Sequence, residues 1–162
     1  MRGRVWIYGD HVNTDLIIAG RYLDDYDPKH LAAHVMEDLD PTFAKRVSFG
    51  DIIIAGRNFG CGSSREQAPL ALKTAGVGAI IAGSYSRIFY RNAINLGLPV
   101  LECKDAADAF KKGEHALINI EKGILVNEVS GRKISFRPPP AFLVDIIGGG
   151  GLIPYTRKRL GK

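Results

Sequence analysis

One segment limits the possible folds more than any other. Asp51-Ile52-Ile53-Ile54-Ala55 runs directly into Arg57-Asn58-Phe59-Gly60-Cys61-Gly62-Ser63-Ser64, and the stretch from Arg65 to Ala75 follows. The continuous β-branched run reads as a buried strand. Arg65 to Ala75 reads as a helix closed by Gly76 at its C-terminal end. A strand, a glycine-rich turn and a helix in succession gather backbone N–H groups and the positive end of a helix dipole at one spot. That arrangement is a ready anion site. Gly60 and Gly62 permit close backbone approach or positive φ. Arg65 adds a planar fork suited to a carboxylate.

The rest of the chain supplies more elements of both kinds. Val5 to Tyr8 reads as a short strand, followed by the polar loop Gly9-Asp10-His11-Val12-Asn13-Thr14-Asp15 and the apolar stretch Leu16 to Ala19. Asp27-Pro28 is an N-cap and N1 pair that predicts a helix through Leu31, Val35 and Met36. Asp40-Pro41 repeats the signal for a shorter turn. Ala79 to Ala82 and Pro99 to Leu101 read as strands on either side of a helix from Ser86 to Leu96. Asp105 to Lys112 reads as a small helix stopped by Gly113. Residues 116–120, 124–127 and 133–136 read as strands, with a hairpin turn at Ser130-Gly131. Phe142 to Ile147 and Leu152 to Leu160 read as closing helices. Strand–helix units followed by a β-rich meander predict one α/β domain, residues 1–162, with a mixed sheet flanked by helices.

Composition removes several function classes. The chain has 162 residues, 46% of them hydrophobic and 24% charged, enough for a single buried core. No apolar run reaches the roughly 18 residues of a membrane span. Met1-Arg2-Gly3-Arg4 offers no signal-peptide core, so a cytoplasmic protein is the default. Cys61 and Cys103 are the two cysteines. They can form neither a disulfide framework nor a complete iron–sulfur ligand set. The net charge of +5 permits an anionic partner, but no nucleic-acid recognition motif accompanies it.

The glycine turn has competing readings. Ser63-x-x-Glu66 and Ser64-x-x-Gln67 both fit a capping box, which would make either serine a helix cap. Gly60-x-Gly62-x-x-Arg65 lacks the third glycine of a dinucleotide fingerprint, and no acidic residue closes the next strand. The run Gly148 to Gly151 leads into Leu152-Ile153-Pro154 and so is no phosphate loop.

Three ordered blocks resemble the aconitase superfamily. Asn58-Phe59-Gly60-Cys61-Gly62-Ser63-Ser64-Arg65-Glu66 is similar to its Gly-x-Gly-Ser-Ser-Arg-Glu signature. Gly9-Asp10 with Thr14-Asp15 resembles its Gly-Asp…Thr-Asp loop, and Tyr85 to Ala93 with Gly97-Leu98 resembles the segment after the serine helix. The order and spacing suit the separate small subunits of the isopropylmalate dehydratase and homoaconitase branches. The resemblance covers nearly the whole chain. It implies a swivelling β/β/α domain that docks over a large subunit carrying a [4Fe–4S] cluster, with no cofactor on this chain.

The resemblance also implies roles. Ser63 would be the base that removes a proton beside the substrate hydroxyl. Asp15 would stand near the active site and orient a partner group. Arg65 would clamp a substrate carboxylate, with Ser64 and the Gly62 backbone beside it. The substrate class would be hydroxy di- or tricarboxylates. Relatives acting on tricarboxylates carry an arginine shortly after the position of Gly20, where this chain reads Arg21-Tyr22-Leu23-Asp24-Asp25-Tyr26. Asp24 and Asp25 would repel a third carboxylate. Leu23 and Tyr26 can supply an apolar contact, and that favours isopropylmalate. Arg21 could still swing in, so homoaconitate and dual specificity stay open. A stand-alone anion- or RNA-binding module is the reading from another class. An isolated subunit would expose its docking face, which makes self-association an expectation.

Overall fold

The computed structural model describes residues 1–162. Seven strands form one sheet in the order β4-β3-β2-β1-β5-β6-β7. They are β1 (Arg2–Ile7), β2 (Ile52–Ala55), β3 (Ala79–Ala82), β4 (Val100–Glu102), β5 (His115–Asn119), β6 (Ile124–Asn127) and β7 (Lys133–Ser135). β1 to β4 pair in parallel, and β5 to β7 pair antiparallel. The mixed sheet expected from the sequence is therefore present.

β1 joins the two halves. Val5, Trp6 and Ile7 pair in parallel with Ile52, Ile53 and Ile54. Arg2, Gly3 and Arg4 pair antiparallel with Leu117, Ala116 and His115. The expected strand began at Val5, and the structure extends it back to Arg2. Polar Arg2 and Arg4 give no strand signal. Their hydrogen-bond partners lie far along the chain.

Eight α-helices accompany the sheet: α1 (Thr14–Ile17), α2 (Pro28–Ala33), α3 (Phe43–Arg46), α4 (Gln67–Thr74), α5 (Arg87–Asn95), α6 (Ala106–Ala109), α7 (Ala141–Gly148) and α8 (Leu152–Arg159). α2 begins as expected, with Asp27 accepting from the Lys29 N–H and Pro28 at its start. It ends sooner than expected. Met36 takes a left-handed conformation (φ 61) and donates its N–H to the Ile17 carbonyl at 2.7 Å. Both Val35 and Met36 remain fully buried. No helix is long and apolar enough to cross a membrane.

The central strands are buried on both faces, which is why they read as unbroken apolar runs. Trp6, Ile53 and Ile80 point into the larger core with Ile17, Leu31, Leu72, Phe89 and Ile146 from the helices. Val5, Ile52, Ile54 and Ile81 point into a second core with Ala106, Ala116, Ile118, Leu125 and Ile134. The antiparallel half thus curls over the second face together with α6, and the other helices named cover the first. This leaves the C-terminal ends of β1, β2 and β3 side by side at one edge of the molecule, the place where open α/β sheets hold their ligands.

Candidate active site

Three loops leave those strand ends and lock together. The first, after β1, lies along the second, after β2, through four backbone hydrogen bonds. Gly56 donates to Gly9 (3.1 Å), His11 to Arg57 (2.8 Å), Gly60 to Val12 (2.8 Å) and Thr14 to Cys61 (2.8 Å). The Asp10 carboxylate clips the same pair, accepting from the Arg57 backbone N–H at 2.7 Å and from its guanidinium at 3.2 Å. Those Arg57 contacts, the backbone N–H first, hold the Asp10 carboxyl below its ordinary range. The Asp10 carboxylate therefore bonds one loop to the other.

The third loop, after β3, fixes the other side. Phe59 donates to the Ser84 carbonyl and Ser86 to the Phe59 carbonyl, each at 3.0 Å. The Ser86 hydroxyl donates to the Gly60 carbonyl at 2.8 Å and accepts from the Phe89 N–H at the start of α5. Gly60 has φ +77, and a Cβ there would stand 2.2 Å from the Phe89 ring. Only glycine satisfies both conditions.

The turn between these clamps differs from the capping-box expectation. α4 starts at Gln67, two residues later than Arg65. Its N-cap is Glu66, whose side chain makes no capping bond. Neither the Ser63 nor the Ser64 hydroxyl forms a hydrogen bond within the chain. What holds the turn is Thr14, whose hydroxyl donates to the Ser63 carbonyl at 3.0 Å. Both serines are exposed. The backbone N–H groups from Cys61 to Gln67 also donate to no acceptor in the chain. Unpaired donors in a glycine-bearing turn at a helix start form an anion-binding concavity.

Arg65 spans the gap to the first loop. Its side chain is only 16% exposed, and Nη1 stands 2.5 Å from Asp15 Oδ1. The same nitrogen donates to the Ile18 carbonyl at 3.0 Å. Nη2 and Nε have no acceptor within the chain, so that edge of the fork is available to a carboxylate. Asn13 caps α1 by accepting from the Leu16 N–H, and so sets Asp15 in the first turn of that helix. Asp15, Gly62, Ser63, Ser64 and Arg65 therefore form one constellation.

The recognition segment is only partly brought in. Gly20 opens a 3₁₀ turn (Gly20–Tyr22), and a Cβ on Gly20 would lie 3.8 Å from Arg65 Nη2. Leu23 packs against the larger core, while Asp24 and Tyr26 are exposed. Arg21 does not extend toward the turn. It forms a two-point pair with Asp38 at 2.6 and 3.0 Å and lies over the Tyr22 ring.

Asp15, Ser63 and Ser64 are exposed and Arg65 is half-buried, so the constellation lies open at the surface of the chain.

The Aconitase C-terminal domain family matches residues 12–106, more than half of the chain and the whole of this constellation. The 3-isopropylmalate dehydratase small subunit of Thermodesulfovibrio yellowstonii is 51% identical over 160 residues, 99% of this chain and 95% of that one. The chain belongs to the aconitase C-terminal domain family, among the 3-isopropylmalate dehydratase small subunits. Small subunit 1 of the same enzyme in Archaeoglobus fulgidus is 51% identical over 155 residues, 96% of each chain. The crystal structure of 3-isopropylmalate dehydratase from Methanocaldococcus jannaschii superposes with a TM-score of 0.93 at 45% identity, covering 98% of this chain and 94% of that one. Family membership and the fold that the resemblance implied are thus both established.

In this family member, sequence reading missed one group near the site. His30 and His34 gather around Tyr22. The His34 ring stacks on Tyr22 with centroids 3.9 Å apart, and His30 meets both edge-on. Glu37 ties the group, accepting from the Tyr22 hydroxyl at 2.9 Å and lying 2.7 Å from His34 Nδ1. Contact with His34, then with Tyr22, holds the Glu37 carboxyl below its usual range. The i, i+4 spacing of His30 and His34 was the available signal. Tyr22 enters only through the tertiary fold.

Proposed function

We propose that this chain is the small subunit of a 3-isopropylmalate dehydratase, a hydro-lyase that interconverts 2- and 3-isopropylmalate by removing and returning water. In this reading it contributes the proton-transferring serine and a carboxylate-binding turn to a site completed by a larger partner. The observation that carries it is the Asp15–Arg65 pair. That contact joins two separate family blocks beside a serine whose hydroxyl makes no bond within the chain.

Ser63 Oγ takes the proton from the carbon next to the hydroxyl-bearing one, and returns it during rehydration. A serine alkoxide is far too basic to persist in water. The Cys61 to Gln67 N–H groups, the start of α4 and the Arg65 guanidinium supply positive potential at that oxygen. Arg65 holds a substrate carboxylate through Nη2 and Nε while Asp15 keeps the fork from turning. Ser64 and the Gly62 backbone donate to the same carboxylate.

Aconitase-family membership implies a [4Fe–4S] cluster, and this chain's residues do not fit one. Cys61 is half-buried in the turn and Cys103 is buried in the second core, where burial raises its thiol pKa. No group of three or more His, Cys, Asp or Glu side chains is placed to hold a metal ion. The cluster would belong to the large subunit, where its iron would act as a Lewis acid on the substrate hydroxyl. The open constellation on this chain supports that division.

The pairing of Arg21 with Asp38 supports isopropylmalate over a tricarboxylate, because the arginine that could have swung toward a third carboxylate is already engaged.

The test is reconstitution with the cluster-bearing large subunit under anaerobic conditions, following the ultraviolet absorbance of the unsaturated product. Activity in the mixture alone, lost in Ser63→Ala while the complex still forms, is the expected result. Full activity in Ser63→Ala would remove the serine from the chemistry. Turnover of homoaconitate in preference to isopropylmalate would overturn the substrate assignment.

A further inference from the structure

The chain between α1 and α2 runs along the Arg65 guanidinium. Nη1 donates to the Ile18 carbonyl, and a Cβ on Gly20 would lie 3.8 Å from Nη2. A carboxylate held on the open edge of that fork therefore meets the segment that begins at Gly20. Its own backbone fastens this segment weakly. Across residues 20–26 only the Tyr22 and Leu23 N–H groups donate to backbone carbonyls, those of Ala19 and Gly20, at 3.1 and 3.2 Å. Asp24, Asp25 and Tyr26 are exposed. Side chains must supply the rest of the hold.

The hold is at Tyr22. Its hydroxyl donates to Glu37 Oε1, its ring lies nearly parallel (9°) to the His34 ring, and Glu37 Oε2 meets His34 Nδ1. Each of these side chains touches the other two, so the triangle is closed. Arg21 lies over the Tyr22 ring, and His30 packs edge-on against Tyr22 and His34. The base of the triangle is fixed. Val35 and Met36, just after His34, are fully buried, and the Met36 N–H donates to the Ile17 carbonyl. Ile17 precedes the residue whose carbonyl accepts from Arg65. One stretch of backbone thus anchors both the triangle and the guanidinium. Tyr22, His34 and Glu37 are only half-buried, and polar contacts at that exposure add little to stability. What they add is position, to which bound substrate is sensitive at the scale of about 1 Å.

We propose that Tyr22, His34 and Glu37 act as one positioning unit that holds residues 20–23 against the Arg65 fork and so gives the substrate group beside the clamped carboxylate a fixed wall, an inference that rests on reading that fork as a substrate clamp. The test joins kinetics of the reconstituted enzyme to amide exchange in the full chain. His34→Ala is expected to raise KM for isopropylmalate about tenfold and to leave kcat within about twofold of wild type, because Ser63 and Arg65 are untouched. His34→Phe keeps a stacked ring and is expected to recover most of that KM. Glu37→Ala opens the triangle from its other side, with Arg21 still held by Asp38, and is expected to match His34→Ala. The double variant should be no worse than either, since contacts within one unit are not additive. In both single variants the Tyr22 and Leu23 amides should exchange about tenfold faster, while the Ile53 and Ile80 amides of the buried strands keep their rates. An unchanged KM in His34→Ala and Glu37→Ala overturns the proposal, whatever the exchange shows. So does a fall in kcat with KM preserved, an additive double variant, or faster exchange that spreads to Ile53 and Ile80. A wild-type complex inert toward isopropylmalate would instead fail the functional reading, and the exchange of the Tyr22 and Leu23 amides would then decide the positioning unit by itself.

Discussion

Asp15 Oδ1 lies 2.5 Å from Arg65 Nη1, an ion pair that ties the first turn of α1 to the turn after β2. Asp15 is two-thirds exposed, and Arg65 is largely buried, with its outer nitrogens unpaired in the chain. The pair therefore aims a guanidinium more than it stabilises the fold, since half-exposed ion pairs contribute little to stability.

Asp15→Asn should leave the melting temperature nearly unchanged and raise KM for isopropylmalate in the reconstituted enzyme. A loss of about tenfold to 10²-fold in kcat/KM is expected from a misaimed carboxylate clamp. Arg65→Lys should cost at least as much, because one ammonium cannot serve Asp15, Ile18 and a substrate together. Steady-state kinetics of both variants beside wild type decide this. A normal KM in Asp15→Asn would detach the pair from substrate binding.

Ser63 makes no side-chain hydrogen bond in the chain, so Ser63→Ala should unfold at the wild-type temperature to within about 1 °C. Loss of a cap would instead cost about 1 kcal/mol. Its kcat should fall by about 10³-fold or more while binding to the large subunit persists. Calorimetry and a binding titration on one preparation separate the two roles.

Arg21 is held by Asp38 at two points. Asp38→Ala should release it beside Gly20 and the Arg65 fork. The ratio of homoaconitate to isopropylmalate turnover should rise, by about tenfold if the freed guanidinium reaches the third carboxylate. An unchanged ratio would show that Arg21 has no bearing on specificity.

Asp10 titrates below the ordinary aspartate value of 3.8 because the Arg57 N–H and guanidinium bind its charged form. The folded-state pKa is depressed, so its contribution to stability is complete above the unfolded value. That contribution is lost as pH falls through the lower folded one. Asp10→Asn should therefore melt lower than wild type at pH 7, and the gap should close as pH falls below the ordinary aspartate value of 3.8. Thermal melts across that range check the sign. A gap that widens on acidification would refute the clip.

Much of the fold was legible in the chain. The unbroken runs Ile52 to Ala55 and Ala79 to Ala82 marked strands buried on both faces. Asp27-Pro28 marked the start of α2, and Ser130-Gly131 marked the turn between β6 and β7. In that turn Asn127 accepts from the Val129 and Ser130 N–H groups, and Gly131 takes φ +77. These signals are local, because burial pattern, caps and turn conformations depend on neighbours in sequence. The serine turn also announced itself, through Gly60 and Gly62, whose positive φ a tight turn requires.

The sequence by itself determined most of the elements and the family blocks. It allowed Ser63 to be a helix cap, while the family resemblance favoured a base. Only the tertiary structure removed the cap reading. Thr14 reaches from the first loop to the Ser63 carbonyl, the helix begins at Gln67, and the hydroxyl is left without a bond. Contacts between distant segments decided the rest in the same way, drawing Arg2 to Arg4 into the sheet, Arg21 onto Asp38 and Arg65 onto Asp15. The energy of such contacts depends on where the packed core carries each segment, and no short stretch of sequence encodes that position.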